Sequence, residues 1–127
     1  MNKLLMLDSI AVVDDESDLA DLYSEALRRS NYDVCSFTDP ILAYEHIKEN
    51  PNKYSLLITD YRMPHMNGLL LAMKLLEINQ NLKVIILSSC YEFECISKFR
   101  FIRKPISILK FVKIVHETIF SSLLSNN

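Results

Sequence analysis

The stretch from Leu56 to Leu76 reads "LLITDYRMPHMNGLLLAMKLL". An apolar run ends at Asp60, and an apolar helical pattern begins eight positions later at Gly68, the single glycine of the chain. A run of near-continuous apolar residues is typical of a strand in a parallel sheet that is buried on both faces. The stretch therefore predicts a buried strand with an aspartate at its carboxyl end, then a loop, then a helix.

The same alternation of apolar runs and helical patterns extends over the chain of 127 residues. Strands are predicted at 9–13, 32–37, 54–60, 82–89 and 100–102, and helices at 16–30, 39–50, 68–79, 91–98 and 106–124. Strands that alternate with helices over short connections form a doubly wound α/β sandwich. We expect a (βα)5 fold of three layers around a five-stranded parallel sheet.

Composition excludes several classes of function. The formal charge is −2, and the 14 lysines and arginines are scattered, so we expect no nucleic-acid binding. No apolar segment reaches the roughly 20 residues of a membrane span, and Asp8 interrupts the only stretch that resembles a signal peptide. We expect one cytoplasmic domain over 8–124, with no separate output domain. Cys35, Cys90 and Cys95 form no CxxC pair, which favours reduced thiols over a metal site.

Polar side chains follow four of the predicted strands. Asp14 and Asp15 come after the first strand, Asp60 ends the third, Ser88 lies at the end of the fourth, and Lys104 follows the fifth. In doubly wound sheets, ligands bind outside the carboxyl ends of the strands. We therefore expect three acids, a hydroxyl and an ammonium group to meet at one edge of the sheet.

These residue types indicate the chemistry of the site. Three carboxylates in one pocket repel each other unless a cation joins them. Oxygen ligands without Cys or His suit Mg²⁺ or Mn²⁺. A lysine beside such an ion is arranged to receive a phosphoryl group, and Asp60, which follows the central strand, is the predicted nucleophile. The product would be an acyl phosphate.

The strings "VVDDE", "ITDYRMPHMNG", "IILSS" and "IRKP" resemble those of the receiver domains of two-component response regulators, in order and in strand context. The resemblance covers residues 8–124 and implies a flavodoxin-like fold. It implies a single-domain response regulator whose Asp60 is phosphorylated by a sensor histidine kinase or a phosphotransfer protein. Such a chain is a phosphoacceptor rather than an enzyme for other substrates, and it passes its signal to a downstream protein target.

The resemblance also implies the ligands of the ion. Asp15, Asp60 and the backbone carbonyl of Arg62 would hold Mg²⁺ directly, and Asp14 would act through a water molecule. The loop after Asp60 must then bring the Arg62 carbonyl back toward the ion. Gly68 would permit this either by its conformation or by a close approach that a side chain forbids.

Three further roles follow from the resemblance. Ser88 and Lys104 would each bind an oxygen of the phosphoryl group, and Phe101 matches the aromatic switch residue of the family. The Lys104–Pro105 bond is often cis in the family. Ser88 and Lys104 are 16 positions apart, fewer than the family normally uses, so we expect a shortened fourth helix and an unusual output surface.

The last predicted helix is more apolar than one buried stripe requires. Phe111, Ile114 and Phe120 lie off the stripe that should face the sheet. They predict either a partner or homodimer surface, or ordinary lateral packing on a neighbouring helix.

Two other functions compete with the phosphoacceptor switch. A magnesium phosphatase also forms an aspartyl phosphate, but such enzymes place a second acid two residues after the nucleophile, where this chain has Arg62. A pseudo-receiver would bind its partners constitutively, and the complete set of acids with Lys104 argues against it.

Overall fold

The computed structural model describes residues 8–89 and 99–125. The strands are β1 (Ser9–Val13), β2 (Asp33–Phe37), β3 (Leu56–Asp60), β4 (Lys83–Ser88) and β5 (Arg100–Arg103). The helices are α1 (Ser17–Arg29), α2 (Pro40–Glu49), α3 (Gly68–Ile78) and α4 (Ile108–Ser125). These elements lie where the sequence predicts them. The predicted helix at 91–98 falls outside the described residues.

All five strands form one parallel sheet in the order β2-β1-β3-β4-β5. The order reverses between β1 and β3, which brings the carboxyl ends of these two strands side by side. Every residue of β3 is buried, as its continuous apolar run predicts. The predicted doubly wound, flavodoxin-like fold is confirmed.

One face of the sheet packs against α1 and α4. Alternate residues of the strands, among them Val12, Ile58 and Ile102, join Tyr23 of α1 and Phe111 of α4 in a buried cluster. The Tyr23 and Phe111 rings lie 4.6 Å apart between centroids. Phe111 therefore packs laterally on α1, which favours the second of the two interpretations for this residue.

The two other residues of α4 that lie off the predicted stripe differ from each other. Ile114 is buried, whereas Phe120 keeps 39% of its surface exposed and stacks on His116. The Nδ1 atom of His116 and the hydroxyl of Tyr32 lie 2.5 Å apart, which links α4 to the turn after α1. In the described part of the chain, no helix is long and apolar enough to cross a membrane.

The opposite face packs against α2 and α3. The intervening residues of the strands, such as Val13, Leu57 and Ile86, meet Ala43 of α2 and Leu75 of α3 in a second buried cluster. Because side chains alternate between the faces of a strand, each strand contributes to both clusters. The alternation therefore fixes on which face of the sheet the last side chain of each strand lies.

The β3–α3 loop contains a residue with positive φ, but it is not the glycine. His65 has φ 73°, and the Met66 N–H donates to the Pro64 carbonyl at 2.8 Å, which makes a γ-turn centred on His65. Gly68 does not have a positive φ. Of the two roles expected for Gly68, the close approach is the one found.

The space at Gly68 is filled by backbone. A Cβ added there would lie 2.2 Å from the carbonyl oxygen of Asp60, a distance that carbon atoms do not reach without displacing the chain. The Gly68 N–H donates to the carbonyl of Tyr61 at 2.7 Å, and the side chain of Asn67 caps α3 by accepting from the Leu70 N–H at 2.8 Å. The glycine thus joins the start of α3 to the end of β3.

Candidate functional site

The carboxyl ends of β1 and β3 bring three acids together. One carboxylate oxygen from each of Asp14, Asp15 and Asp60 can be chosen so that all lie within 4.8 Å of one another. Asp14 and Asp60 are buried, whereas Asp15 is exposed. The predicted acidic cluster is therefore present at the predicted edge.

Strand alternation explains how the acids meet the lysine. Asp14 follows Val12 by two positions, Asp60 follows Ile58 by two, and Lys104 follows Ile102 by two. Val12, Ile58 and Ile102 all belong to the cluster on the α1 and α4 face. The two acids and the lysine consequently project on the same face of the sheet.

Lys104 makes ion pairs with two of the acids. Its Nζ atom lies 3.0 Å from Oδ1 of Asp60 and 3.7 Å from Oδ2 of Asp14. Burial lowers the pKa of Lys104, but the hydrogen bond to Asp60 and the attraction of both carboxylates outweigh it, so the pKa is raised. The ammonium group is therefore charged at neutral pH.

Asp14 is 1% exposed, and its two carboxylate oxygens differ in their hydrogen bonds. Its Oδ1 atom accepts a hydrogen bond from the Glu16 N–H at 3.0 Å, whereas Oδ2 has no hydrogen-bond donor within the described ranges. Burial raises the pKa of Asp14, and the neighbouring charge of Asp60 adds to the rise. Burial also raises the pKa of Asp60, against the lowering effect of Lys104.

The cluster fits a hard divalent cation. Its donor atoms are carboxylate oxygens, and a buried acceptor without a donor, Asp14 Oδ2, lies among them. Three negative charges exceed the single positive charge of Lys104, so a further cation would lower the repulsion. Such an ion has carboxylate ligands of the kind that Mg²⁺ and Mn²⁺ prefer.

The excess negative charge predicts an unusual effect of Asp14→Asn. An acid with a raised pKa in the folded state stabilises the protein below its unfolded pKa and loses that contribution as pH rises through the folded pKa. At pH 7 and without metal, Asp14→Asn should therefore increase the free energy of unfolding. Denaturant unfolding at pH 7 and near pH 4 measures this gain, which should shrink at the lower pH.

The exposed acid Asp21 provides the matched control. Asp21→Asn should change stability by no more than about 0.5 kcal/mol at either pH. A loss of stability for Asp14→Asn at pH 7 would contradict the electrostatic account of the cluster.

The three other predicted site residues lie on β4, on β5 and in the β3–α3 loop. Ser88 ends β4, is 6% exposed, and its carbonyl accepts from the Lys104 N–H at 2.9 Å. Ser88 follows Ile86 by two positions, so its side chain projects on the α2 and α3 face. Phe101 lies on β5 against the cluster of that face, and Arg62 lies in the β3–α3 loop with its side chain exposed.

The Lys104–Pro105 bond is cis, in agreement with the expectation from the sequence. Cys35 is half-buried and is not in a disulfide, whereas Cys90 and Cys95 lie outside the described residues.

Sequence reasoning missed one residue at the site. Thr59 is fully buried, and its hydroxyl donates a hydrogen bond to the carbonyl of Asp60 at 2.9 Å. The available signal was a single hydroxyl within the otherwise aliphatic part of the strand "LLITD". A polar group inside a buried strand requires a partner, and here the partner is the backbone carbonyl of Asp60, the predicted nucleophile.

Comparison with known proteins identifies the family. The response regulator receiver domain matches residues 10–116. The chain belongs to the response regulator receiver domain family. Receiver domains act in two-component systems, so the class of signalling protein expected from the sequence is confirmed.

Among curated proteins, the response regulator receiver protein CpdR of Brucella abortus is 35% identical over 79 residues. The match covers 62% of this chain and 64% of CpdR. Matches to longer response regulators of Arabidopsis thaliana cover 13% to 22% of those proteins. The chain thus spans less than two thirds of these relatives, and the resemblance concerns the receiver part.

Solved structures agree with the family. A receiver domain protein of Clostridium thermocellum superposes with a TM-score of 0.82 at 23% identity, over 93% of this chain and 98% of that one. The receiver domain of the hybrid histidine kinase CckA gives a TM-score of 0.77 at 28% identity, over 87% and 97% of the two chains. Both are similar to this receiver domain over nearly their whole length.

Proposed function

We propose that this receiver domain, residues 8–124, is a phosphoacceptor switch in which Asp60 receives a phosphoryl group from a histidine kinase or a phosphotransfer protein. The single observation that carries the proposal is the contact between Lys104 Nζ and Asp60 Oδ1, at 3.0 Å, beside two further carboxylates. This arrangement supplies a nucleophile and a fixed positive charge at one point.

The metal ligands of the proposal are Asp14, Asp15, Asp60 and the backbone carbonyl of Arg62. Mg²⁺ or Mn²⁺ in this position would neutralise the oxygens of the incoming phosphoryl group. The acids supply the negative charge that attracts the ion, and Asp14 Oδ2 supplies a buried acceptor that no donor of the described chain satisfies. Lys104 favours the ionised form of the Asp60 carboxylate and orients it.

In the proposed reaction, an Oδ atom of Asp60 attacks the phosphorus, and the bond from phosphorus to the donor breaks. With a phosphohistidine donor, the electron pair of the P–N bond returns to the imidazole. The Lys104 ammonium balances the negative charge on one phosphoryl oxygen, and the Ser88 hydroxyl donates to another. The product is the acyl phosphate of Asp60, which water later hydrolyses.

In the proposed mechanism, phosphorylation changes a binding surface of the domain, and this change passes the signal to a downstream protein. Phe101 on β5 lies opposite Ile86, two residues before Ser88 on the adjacent strand, and it packs against the cluster of the α2 and α3 face. A Ser88 hydroxyl engaged by the phosphoryl group would shift the packing of Phe101 and so change a surface that a downstream protein binds. We place this relay in the cytoplasm, and a homodimer is one form that the phosphorylated surface could take.

Incubation with Mg²⁺ and acetyl phosphate, followed by intact mass, tests the proposal. The wild type should gain one phosphoryl group, Asp60→Asn should gain none, and Asp21→Asn should behave as the wild type. Chelation of the metal should abolish the gain.

Two other outcomes would contradict the proposal. Steady release of phosphate from assorted phosphomonoesters would indicate a magnesium phosphatase. Full-length protein that binds its partner but takes no phosphoryl group under any of these conditions would indicate a constitutive pseudo-receiver.

A further inference from the structure

The peptide group between Asp60 and Tyr61 is held at both ends. Its N–H, from Tyr61, donates to the carbonyl of Leu87 on β4 at 2.8 Å. Its carbonyl, from Asp60, accepts the hydrogen bond from the Thr59 hydroxyl at 2.9 Å. Rotation of this peptide would break one bond or the other.

Gly68 restricts the Asp60–Tyr61 peptide in addition to these two hydrogen bonds. A Cβ at Gly68 would lie 2.2 Å from the Asp60 carbonyl oxygen and 3.0 Å from Cγ2 of Thr59, so both groups press against the glycine. The Gly68 N–H also donates to the Tyr61 carbonyl at 2.7 Å. Thr59 therefore contacts the start and the end of the loop that carries Arg62.

The position of this peptide affects both the Asp60 carboxylate and the Arg62 carbonyl. On its amino side it carries the Asp60 carboxylate, and on its carboxyl side the chain continues through Tyr61 to Arg62. A rotation of the peptide about the Asp60 Cα–C bond would move the chain that follows, and with it the Arg62 carbonyl, relative to the Asp60 carboxylate. The Thr59 hydroxyl is the side-chain group that opposes this rotation.

We propose that Thr59 is a positioning residue of the metal site, and the inference rests on the proposed function. Its hydroxyl fixes the Asp60–Tyr61 peptide so that the Asp60 carboxylate and the Arg62 carbonyl are held at one spacing. Without the hydroxyl, the buried Asp60 carbonyl loses its hydrogen-bond donor. We therefore expect the peptide to rotate toward another donor. Residues that orient metal ligands typically change metal affinity by about 10- to 100-fold when they are removed.

The test compares Thr59→Val, which keeps the shape but removes the hydroxyl, with Thr59→Ser, which keeps the hydroxyl. Titration calorimetry with Mg²⁺ on the full chain measures the dissociation constant for the folded protein. Because Thr59 acts through the backbone and not by a direct contact with a ligand side chain, we expect a rise of roughly 3- to 10-fold for Thr59→Val, below the usual range for such residues. For Thr59→Ser, we expect a change of less than about twofold.

A second measurement needs no metal. Amide hydrogen exchange in the metal-free protein reports the opening of the Gly68 N–H to Tyr61 bond. Thr59→Val should accelerate the exchange of the Gly68 amide at least about fivefold relative to amides in the middle of α3. Thr59→Ser should leave that ratio unchanged.

The outcomes separate this inference from the proposed function. An unchanged dissociation constant and unchanged Gly68 exchange in Thr59→Val overturn the positioning role and leave the phosphoacceptor proposal intact. Equal effects of Val and Ser also overturn it, because they would show that the hydroxyl is not responsible. A wild type that binds no Mg²⁺ overturns the proposed function and, with it, the metal role of Thr59.

Discussion

The Gly68→Ala variant is expected to lose about 2–4 kcal/mol of stability, although alanine is the better helix former. At the first residue of α3, an ordinary alanine would favour the helix by about 1 kcal/mol. Here its methyl group would lie 2.2 Å from the Asp60 carbonyl oxygen, which is backbone and cannot move aside as a flexible side chain does. Either α3 or the end of β3 has to shift, and the packing around Thr59 and Tyr61 shifts with it.

Thermal and urea unfolding of the metal-free protein measure this loss. For a domain of this size, the expected fall in melting temperature is about 10 °C. Met73→Ala provides the control, because Met73 lies on the same helix with 52% of its surface exposed and should change stability by no more than about 0.5 kcal/mol. A Gly68→Ala protein as stable as the wild type would show that the contact between α3 and β3 is not fixed.

The Lys104→Met variant should lose both stability and reactivity. Methionine keeps the length of the side chain but removes the charge that faces Asp60 and Asp14, and uncompensated buried carboxylates cost about 3 kcal/mol. The phosphorylation rate with acetyl phosphate and saturating Mg²⁺ should fall by about 100- to 1,000-fold, since a fixed charge that stabilises the transition state is gone.

The pH dependence of the stability loss in Lys104→Met identifies the cause of that loss. The raised pKa of Lys104 means that the stability from its charge is complete below the unfolded pKa, near 10.5, and is lost as pH rises through the folded pKa. Below about pH 4 the carboxylates are protonated, so the cost of Lys104→Met should become small. Lys110→Met, at an exposed position of α4, should show neither effect. A cost that stays the same at low and neutral pH would assign the loss to packing instead.

The strands and the acidic site were predictable because each depends on short-range signals. Apolar runs indicate the strand bounds, and the rule that ligands bind at the carboxyl ends of parallel strands predicts Asp14, Asp60 and Lys104 at one edge of the sheet. Asn31, which follows α1 and is of the residue type that commonly replaces glycine at a left-handed position after a helix, has φ 72°. Each of these features is specified by the residue and its immediate neighbours.

Other features depended on distances that a sequence does not contain. The close approach of Gly68 requires the Asp60 carbonyl to be opposite it, and the positive φ of the loop falls on His65 instead. Phe111 was assigned off the buried stripe, yet it is fully buried because α1 packs beside α4 and offers Tyr23. Thr59 was missed because its partner is a backbone oxygen of the next residue, which leaves no pattern in the side chains.

The two-residue repeat of the strands has a consequence for the evolution of such a site. Deleting a single residue from the middle of β3 would exchange the positions of Thr59 and Asp60 relative to the helices above and below. The carboxylate would then leave Lys104 and enter the aliphatic layer beneath α3. Length changes can accumulate in the loops of this chain, but β1, β3 and β5 tolerate them only in steps of two.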